Sequence, residues 1–139
     1  MSGKKLDKTV LIVDDSRFIR TLIKRFVTAS GLTKIVEAED GEEAIEKCTL
    51  HAPSLIFLDI NMPRCDGLKT LRMLKRKLPR SKVVIVSAIG QEAVVKEAIE
   101  NGAVGYITKP FGREDIIKIV GRLTSDDSPQ PADKSSDRG

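Results

Sequence analysis

Residues 55–59 read LIFLD, a run of four apolar side chains that ends on the carboxylate of Asp59. Three further segments have the same form, and they are VLIV at 10–13 before Asp14 and Asp15, VVIV at 83–86 before Ser87, and YIT at 106–108 before Lys109. In an open parallel sheet, ligands bind at the carboxyl ends of the strands, where the strand order reverses. The four segments are therefore expected to bring an acid pair, a lone acid, a hydroxyl group and an amine to one edge of a sheet.

The chain alternates five times between β-branched apolar runs and helical periodicity, which predicts βα units around a parallel sheet. We expect strands near residues 9–14, 34–38, 54–59, 82–87 and 105–108. We expect helices near residues 16–30, 41–51, 67–77, 91–101 and 113–124. Ser16 is a suitable N-cap for the first helix, and Gly31 and Gly102 follow the first and fourth helices. The pattern predicts an α/β fold.

The chain has 139 residues, of which 40% are hydrophobic and 32% charged, so one compact domain is expected. We predict an N-terminal segment at residues 1–8, a folded domain at 9–124 and a tail at 125–139. The tail is rich in Ser, Asp and Pro, and it should be disordered because it cannot bury enough apolar surface to offset its ordering entropy. Only 16 residues follow Leu123, so we expect no separate DNA-binding or catalytic unit.

Composition also argues against membrane, zinc and disulfide proteins. The apolar runs are far shorter than the ~20 residues that cross a bilayer, and residues 1–8 have no signal-peptide pattern, so we expect a cytoplasmic protein. Cys48 and Cys65 lack the spacing of a zinc site or a disulfide framework. Cys48 falls on an apolar helix face and should be buried, whereas Cys65 should be an exposed thiol in a loop.

The formal net charge is +4, and a basic cluster on the third helix and the following loop comprises Arg72, Lys75, Arg76, Lys77, Arg80 and Lys82. Such a cluster is either a solvated helix face or a surface for an acidic partner. A nucleic-acid-binding protein would place a recognition helix or aromatic stacking residues beside the charges. The chain has no Trp and only 4% aromatic residues, so we expect no nucleic-acid partner.

The polar residues at the strand ends are suited to phosphoryl transfer. A carboxylate can attack phosphorus to give an acyl phosphate, and Asp59 is the candidate because its strand is expected to be central. Phosphoryl transfer then needs positive charge around the phosphoryl oxygens. Asp14 and Asp15 add negative charge beside Asp59, and like charges raise one another's pKa unless a cation is present. Mg²⁺ meets this need because it prefers oxygen ligands.

Two further residues supply contacts that an apolar side chain lacks. Lys109 would meet one phosphoryl oxygen as a point charge, and the Ser87 hydroxyl would donate a hydrogen bond to another. Lys109 precedes Pro110, and we predict a cis peptide bond there because it would turn the lysine amine toward the site.

Each of these residues has a plain structural alternative. Two acids after a strand often cap the next helix, and a lone acid often opens a turn. A loop serine is commonly a helix cap, and a lysine is most often solvent-exposed. Their joint occurrence at the ends of successive predicted strands favours the phosphoryl-transfer interpretation.

The segments that carry these residues read VLIVDDSRFIR, LIFLDINMPRCDGL, VVIVSAIG and GAVGYITKPF, and they resemble the motif segments of response-regulator receiver domains, the CheY-like family. The similarity extends from about Lys8 to Leu123. It implies a doubly wound, flavodoxin-like fold, with a five-stranded parallel sheet of order 2-1-3-4-5 and five helices. It also implies phosphorylation on aspartate by a partner histidine kinase.

The resemblance implies a role for each residue of the acidic site. Asp59 matches the phosphoacceptor, and Asp14 and Asp15 match the acids that hold Mg²⁺ together with Asp59. Asn61 would lend its backbone carbonyl to the same ion. Asn61 and Ile89 also occupy the variable positions that set the dephosphorylation rate in the family.

The resemblance further implies a switch that senses the phosphoryl group. The phosphoryl oxygens would be bound by Ser87, by Lys109 and by the backbone N–H of Ala88. Ser87 keeps the hydroxyl of the threonine that is commoner in the family but lacks its methyl group. Tyr106 matches an aromatic residue whose ring turns inward on activation. Without the resemblance, a tyrosine before an apolar strand is most simply explained by packing.

The sequence as a whole is interpreted as a single-domain response regulator. Phosphorylation would change the affinity of a downstream protein for the face formed by the fourth helix, fifth strand and fifth helix, in chemotaxis or motility signalling. The alternative is a phosphorelay intermediate that passes the group to a histidine phosphotransfer protein. We expect no turnover beyond its own phosphorylation and dephosphorylation, because Asn61 stands where a haloacid-dehalogenase-type phosphatase has a second acid. Both a monomer and a phosphorylation-dependent dimer are compatible with the sequence.

Overall fold

Five strands and five helices alternate along the chain, in a computed structural model that describes residues 7–63 and 65–124. The strands are β1 Asp7–Val13, β2 Ile35–Ala38, β3 Pro53–Asp59, β4 Lys82–Ser87 and β5 Gly105–Thr108. The helices are α1 Arg17–Ala29, α2 Gly41–His51, α3 Gly67–Lys77, α4 Glu92–Glu100 and α5 Arg113–Thr124. Every predicted element is therefore present, with boundaries within two residues of the predicted ones.

The strands form one parallel sheet in the order β2-β1-β3-β4-β5, which confirms the predicted topology. β3 is central and pairs with β1 on one side and β4 on the other. Leu58 lies opposite Val13, and Asp59 lies opposite Val86. This register brings the carboxyl ends of β1, β3 and β4 to the same edge of the sheet.

Two apolar cores pack on the opposite faces of the sheet. Leu11 and Val13 contribute to the core under α2, α3 and α4, whereas Val10 and Ile12 contribute to the core under α1 and α5. In β3 the alternation continues, with Phe57 on the α1 and α5 side. A strand covered on both faces is apolar at every position, which explains the continuous run before Asp59.

Element boundaries differ from the predicted ones by one or two residues. β1 begins at Asp7, two residues earlier than expected, because Asp7 pairs with Pro53 across an irregularity in the register. Proline is tolerated as the first residue of a strand, so β3 also begins one residue early. The predictions for residues 1–6 and for the tail at 125–139 fall outside the described residues.

The caps of the first helix agree with the sequence. The Ser16 hydroxyl accepts a hydrogen bond from the Ile19 N–H at 3.2 Å, so Ser16 is the predicted N-cap. Gly31 follows the helix with a φ of +101°, a conformation that glycine adopts without strain.

Cys48 is buried as predicted. Cys65 is half-buried and not the exposed thiol that the sequence predicts, and its sulfur lies 3.5 Å from the Thr70 hydroxyl.

The basic cluster divides into structural and exposed members. Lys75 Nζ donates to the carbonyls of Pro79 at 2.9 Å and Ser81 at 2.6 Å, and its burial lowers its pKa. Lys82 Nζ donates to the Leu123 carbonyl at 2.8 Å, next to the end of α5. The exposed members are Arg72, Arg76, Lys77 and Arg80.

Across residues 7–63 and 65–124, none of the helices has the length and apolar character needed to span a membrane.

Two glycines test how closely α3 packs against the end of β3. A Cβ atom at Gly67 would lie 2.7 Å from Ile60 Cα, whereas one at Gly121 in α5 would have no neighbour within 4 Å. We predict that Gly67→Ala lowers the free energy of unfolding by roughly 1–3 kcal/mol, because backbone atoms must shift. Gly121→Ala is the control and should raise it by up to about 1 kcal/mol, since alanine favours a helix. Urea unfolding measures both, and a Gly67→Ala protein as stable as the parent would contradict the close contact.

Candidate functional site

Three carboxylates meet at the carboxyl edge of the sheet. Asp14 follows β1 and is 0% exposed, and Asp59 ends β3 and is 1% exposed. Asp15 is exposed and lies beside them. One ligand oxygen from each of the three lies within 4.8 Å of the other two. The structure thus brings together the three acids that the sequence predicts for a metal site.

Lys109 faces the two buried acids. Its Nζ lies 3.2 Å from Asp59 Oδ2 and 3.3 Å from Asp14 Oδ2. Burial alone would lower the pKa of Lys109, but the two carboxylates outweigh it and raise the pKa above its ordinary value. The backbone N–H of Lys109 donates to the Ser87 carbonyl at 2.7 Å, and the Lys109–Pro110 peptide bond is cis, as predicted.

The pKa of Asp14 is raised above its ordinary value. Burial raises its pKa to about 6, with a further contribution from the charge of Asp59, while the Ser16 N–H and Lys109 act in the opposite direction. Asp14 Oδ1 accepts from Ser16 N at 2.8 Å. Asp14 Oδ2 has no hydrogen-bond partner among the described residues, although Lys109 Nζ is 3.3 Å away.

The donor set fits a small divalent cation. Among the described residues, three carboxylates face one ammonium group, which leaves net negative charge and Asp14 Oδ2 without a hydrogen bond. A divalent cation with oxygen ligands would neutralise that charge and satisfy that oxygen.

Backbone contacts hold Asp59 and Asp14 in place. Asp59 Oδ1 accepts from the Asn61 N–H at 2.8 Å, so its carboxyl group is fixed at one oxygen and faces Lys109 with the other. Arg20 on α1 donates from Nη1 to the Asp14 carbonyl at 2.8 Å and from Nε to Glu37 Oε1 at 2.8 Å. Arg20 and Glu37 were missed by sequence reasoning. The available signal was an acid inside a short apolar strand, a position that favours a basic partner.

The predicted phosphoryl-binding groups lie next to this cluster. Ser87 ends β4 and is buried, and its backbone carbonyl accepts from the Lys109 N–H. The Ala88 N–H donates to Asn61 Oδ1 at 3.0 Å, and Asn61 Nδ2 donates to Gln91 Oε1 at 2.5 Å. Gln91, like Arg20 and Glu37, is a residue that the sequence did not indicate.

Two predicted residues lie outside the acid cluster. Tyr106 on β5 is 54% exposed, and Ile89 in the loop after β4 is 77% exposed. Both line a groove of about 580 Å³ that also contains Ser87 and Ala88. The Tyr106 ring is therefore at the surface, beside a groove that leads to the site.

The raised pKa of Asp14 makes stability depend on pH. The folded carboxyl group binds its proton more tightly than in the unfolded chain, so the free energy of unfolding falls as pH rises from about 4 to about 6. Asp14→Asn should remove this penalty and raise the free energy of unfolding at neutral pH, by an amount on the order of 1–3 kcal/mol.

Urea unfolding at a series of pH values, without divalent cations, measures this effect. The difference between Asp14→Asn and the parent should shrink as the pH approaches 4. Asp15→Asn is the matched control, since it removes an exposed acid from the same cluster and should change stability less. A pH-independent difference for Asp14→Asn would contradict the burial effect.

Known proteins share this sheet and this sequence pattern. The sequence model of the response regulator receiver domain family matches residues 10–121 of this chain. The chemotaxis protein CheY of Listeria monocytogenes is 42% identical over 111 residues, which cover 80% of this chain and 93% of that protein. CheY of Bacillus subtilis is 36% identical over 113 residues, which cover 81% of this chain and 94% of that protein.

Among solved structures, the receiver domain of NtrX from Brucella abortus superposes with a TM-score of 0.79 at 33% identity, covering 84% of this chain and 98% of that one. The sheet order, the acid cluster and these similarities lead to one conclusion: the chain belongs to the response-regulator receiver domain family.

Proposed function

We propose that this response regulator is phosphorylated on Asp59 by a histidine kinase and then binds a downstream protein, in a chemotaxis pathway. The observation that carries the proposal is the Asp59 carboxylate, buried between the Lys109 ammonium and the acid pair. The relatives named as chemotaxis proteins support the choice of pathway. We propose no catalytic activity beyond the protein's own phosphorylation and dephosphorylation.

The metal ion in this proposal is Mg²⁺, held by Asp14, Asp15, Asp59 and the backbone carbonyl of Asn61. When bound, it would supply positive charge to the phosphoryl oxygens. The buried Asp14 oxygen without a hydrogen bond supports a ligand at this position. The three acids together have the carboxylate chemistry that Mg²⁺ prefers.

The phosphoryl step uses a phosphohistidine donor. An Asp59 carboxylate oxygen attacks phosphorus, and the P–N bond breaks as the acyl P–O bond forms. The electron pair of the P–N bond returns to the histidine nitrogen. That nitrogen then takes a proton from solvent. Lys109 stabilises a phosphoryl oxygen with its charge, and the Ser87 hydroxyl and Ala88 N–H donate hydrogen bonds to the others.

The read-out is a shift between two conformations. Phosphorylation adds about −1.5 to −2 charge at Asp59, and the conformer whose donors reach that charge gains population. The groove beside Tyr106 provides space for its ring to turn inward as Ser87 moves. Exposed apolar residues on the proposed α4-β5-α5 face are Ile99, Val104 and Tyr106, and they support binding of a protein partner there.

Phosphorylation of Asp59 is tested with acetyl phosphate and Mg²⁺. Intact-protein mass spectrometry should show the gain of one phosphoryl group by the parent and none by Asp59→Asn, because the nucleophilic oxygen is lost. Asp66→Asn is the matched control, since it removes an exposed acid after β3 while asparagine still caps α3. Labelling of Asp59→Asn at the parental rate would place the phosphoacceptor elsewhere.

The movement of Tyr106 is tested by its own fluorescence, because the chain has one Tyr and no Trp. Acrylamide quenching should decrease when acetyl phosphate and Mg²⁺ are added, since the exposed ring turns into the groove. Asp59→Asn should show no decrease, and Tyr106→Phe gives the background signal. Equal quenching before and after phosphorylation would reduce the ring to surface packing.

A further inference from the structure

We propose that Gln91 is a positioning residue that holds the Asn61 carboxamide on the Ala88 N–H, as a latch that phosphorylation of Asp59 must open. The latch comprises Asn61, Ala88 and Gln91, and each member contacts the next. The proposal rests on the proposed function of Asp59 and adds a residue that controls how readily the phosphoryl group is accommodated.

The latch is a continuous chain of hydrogen bonds. Asn61 Oδ1 accepts from the Ala88 N–H at 3.0 Å, and Asn61 Nδ2 donates to Gln91 Oε1 at 2.5 Å. The Asn61 backbone N–H donates to Asp59 Oδ1 at 2.8 Å, so the same residue also contacts the phosphoacceptor. The latch thus joins the end of β3 to the start of α4.

The orientation of both amides follows from hydrogen-bond chemistry. A backbone N–H can only donate, so Ala88 requires the oxygen of the Asn61 carboxamide and directs its NH₂ group toward Gln91. Gln91 must then present its own oxygen. An acceptor at position 91 is therefore the feature that holds Asn61 in place.

Gln91 differs from the N-caps of the first three helices. Ser16, Asp40 and Asp66 each accept a hydrogen bond from a backbone N–H of their own helix. Gln91 is the N-cap of α4, yet its side chain makes no such bond. The side chain reaches Asn61 across the site instead, so its role is in the latch and not in capping α4.

The latch and the phosphoryl group compete for one donor. The Ala88 N–H cannot direct a strong hydrogen bond to Asn61 Oδ1 and to a phosphoryl oxygen at once, because each requires near-linear geometry. Accommodation of the phosphoryl group therefore displaces the Asn61 carboxamide, which also loses its contact with Gln91. The latch stabilises the unphosphorylated form, and weakening it should favour the phosphorylated form.

The first experiment examines the latch without any phosphoryl group. NMR spectra of the full chain are compared for the parent, Gln91→Met, which has no carbonyl acceptor, and Gln91→Glu, which keeps one. Gln91→Met should shift the Asn61 side-chain NH₂ and Ala88 backbone N–H signals, and Gln91→Glu should leave the Asn61 NH₂ close to its parental hydrogen-bonded position. Unchanged Asn61 and Ala88 signals in Gln91→Met overturn the latch, whatever Asp59 does.

The second experiment measures the competition with beryllofluoride, a tetrahedral analogue of a phosphoryl group, in the presence of Mg²⁺. Gln91→Met should bind it about three- to tenfold more tightly than the parent, the effect of releasing one hydrogen bond. Lys77→Met is the control at an exposed position of α3, outside the Tyr106 groove, and should leave the affinity unchanged.

The outcomes separate the two proposals. Equal or weaker beryllofluoride binding by Gln91→Met overturns the latch even if its NMR signals shift. Absence of beryllofluoride binding by the parent overturns the proposed function of Asp59, while the NMR comparison still decides whether Gln91 positions Asn61. Shifted signals together with tighter binding support the latch.

Discussion

Two buried carboxylates that share one ammonium group are the constraint on which the rest of the site depends. Asp14 follows β1, Asp59 ends β3 and Lys109 follows β5, and the carboxyl ends of these parallel strands lie on one edge of the sheet. Without Lys109 the two acids would repel each other in a low-dielectric setting, where an unpaired charge is costly. Even with Lys109, burial and the charge of Asp59 raise the pKa of Asp14, and three carboxylates facing one ammonium group leave net negative charge. A site with this residual negative charge favours a divalent cation.

Much of the architecture is predictable because burial on both faces of a parallel sheet leaves a clear signature. The run before Asp59 is apolar at every position since β3 lies between two cores. The polar residues that follow each strand then converge without further assumption. Boundaries such as the start of β1 depend on pairing with Pro53, a contact between distant parts of the chain, and sequence periodicity does not report it.

The contacts that could not be predicted are those between side chains far apart in sequence. Arg20 meets Glu37 across a helix and a strand, and Asn61 meets Gln91 although 30 residues separate them. Both pairs depend on the register of the elements and on side-chain conformation. The basic cluster shows the same limit, because Lys75 is adjacent to exposed cations in sequence but its ammonium group binds carbonyls in the loop after α3.

The close approach of Gly67 to Ile60 gives the site a mechanical direction. On that side of Asp59, α3 packs so closely on the backbone that a Cβ atom at Gly67 would lie 2.7 Å from Ile60 Cα. On the other side, Ala88, Ile89 and Gly90 are exposed and have solvent to move into. We therefore expect any expansion at the end of β3 to displace the exposed loop of Ala88, Ile89 and Gly90 and to leave α3 in place.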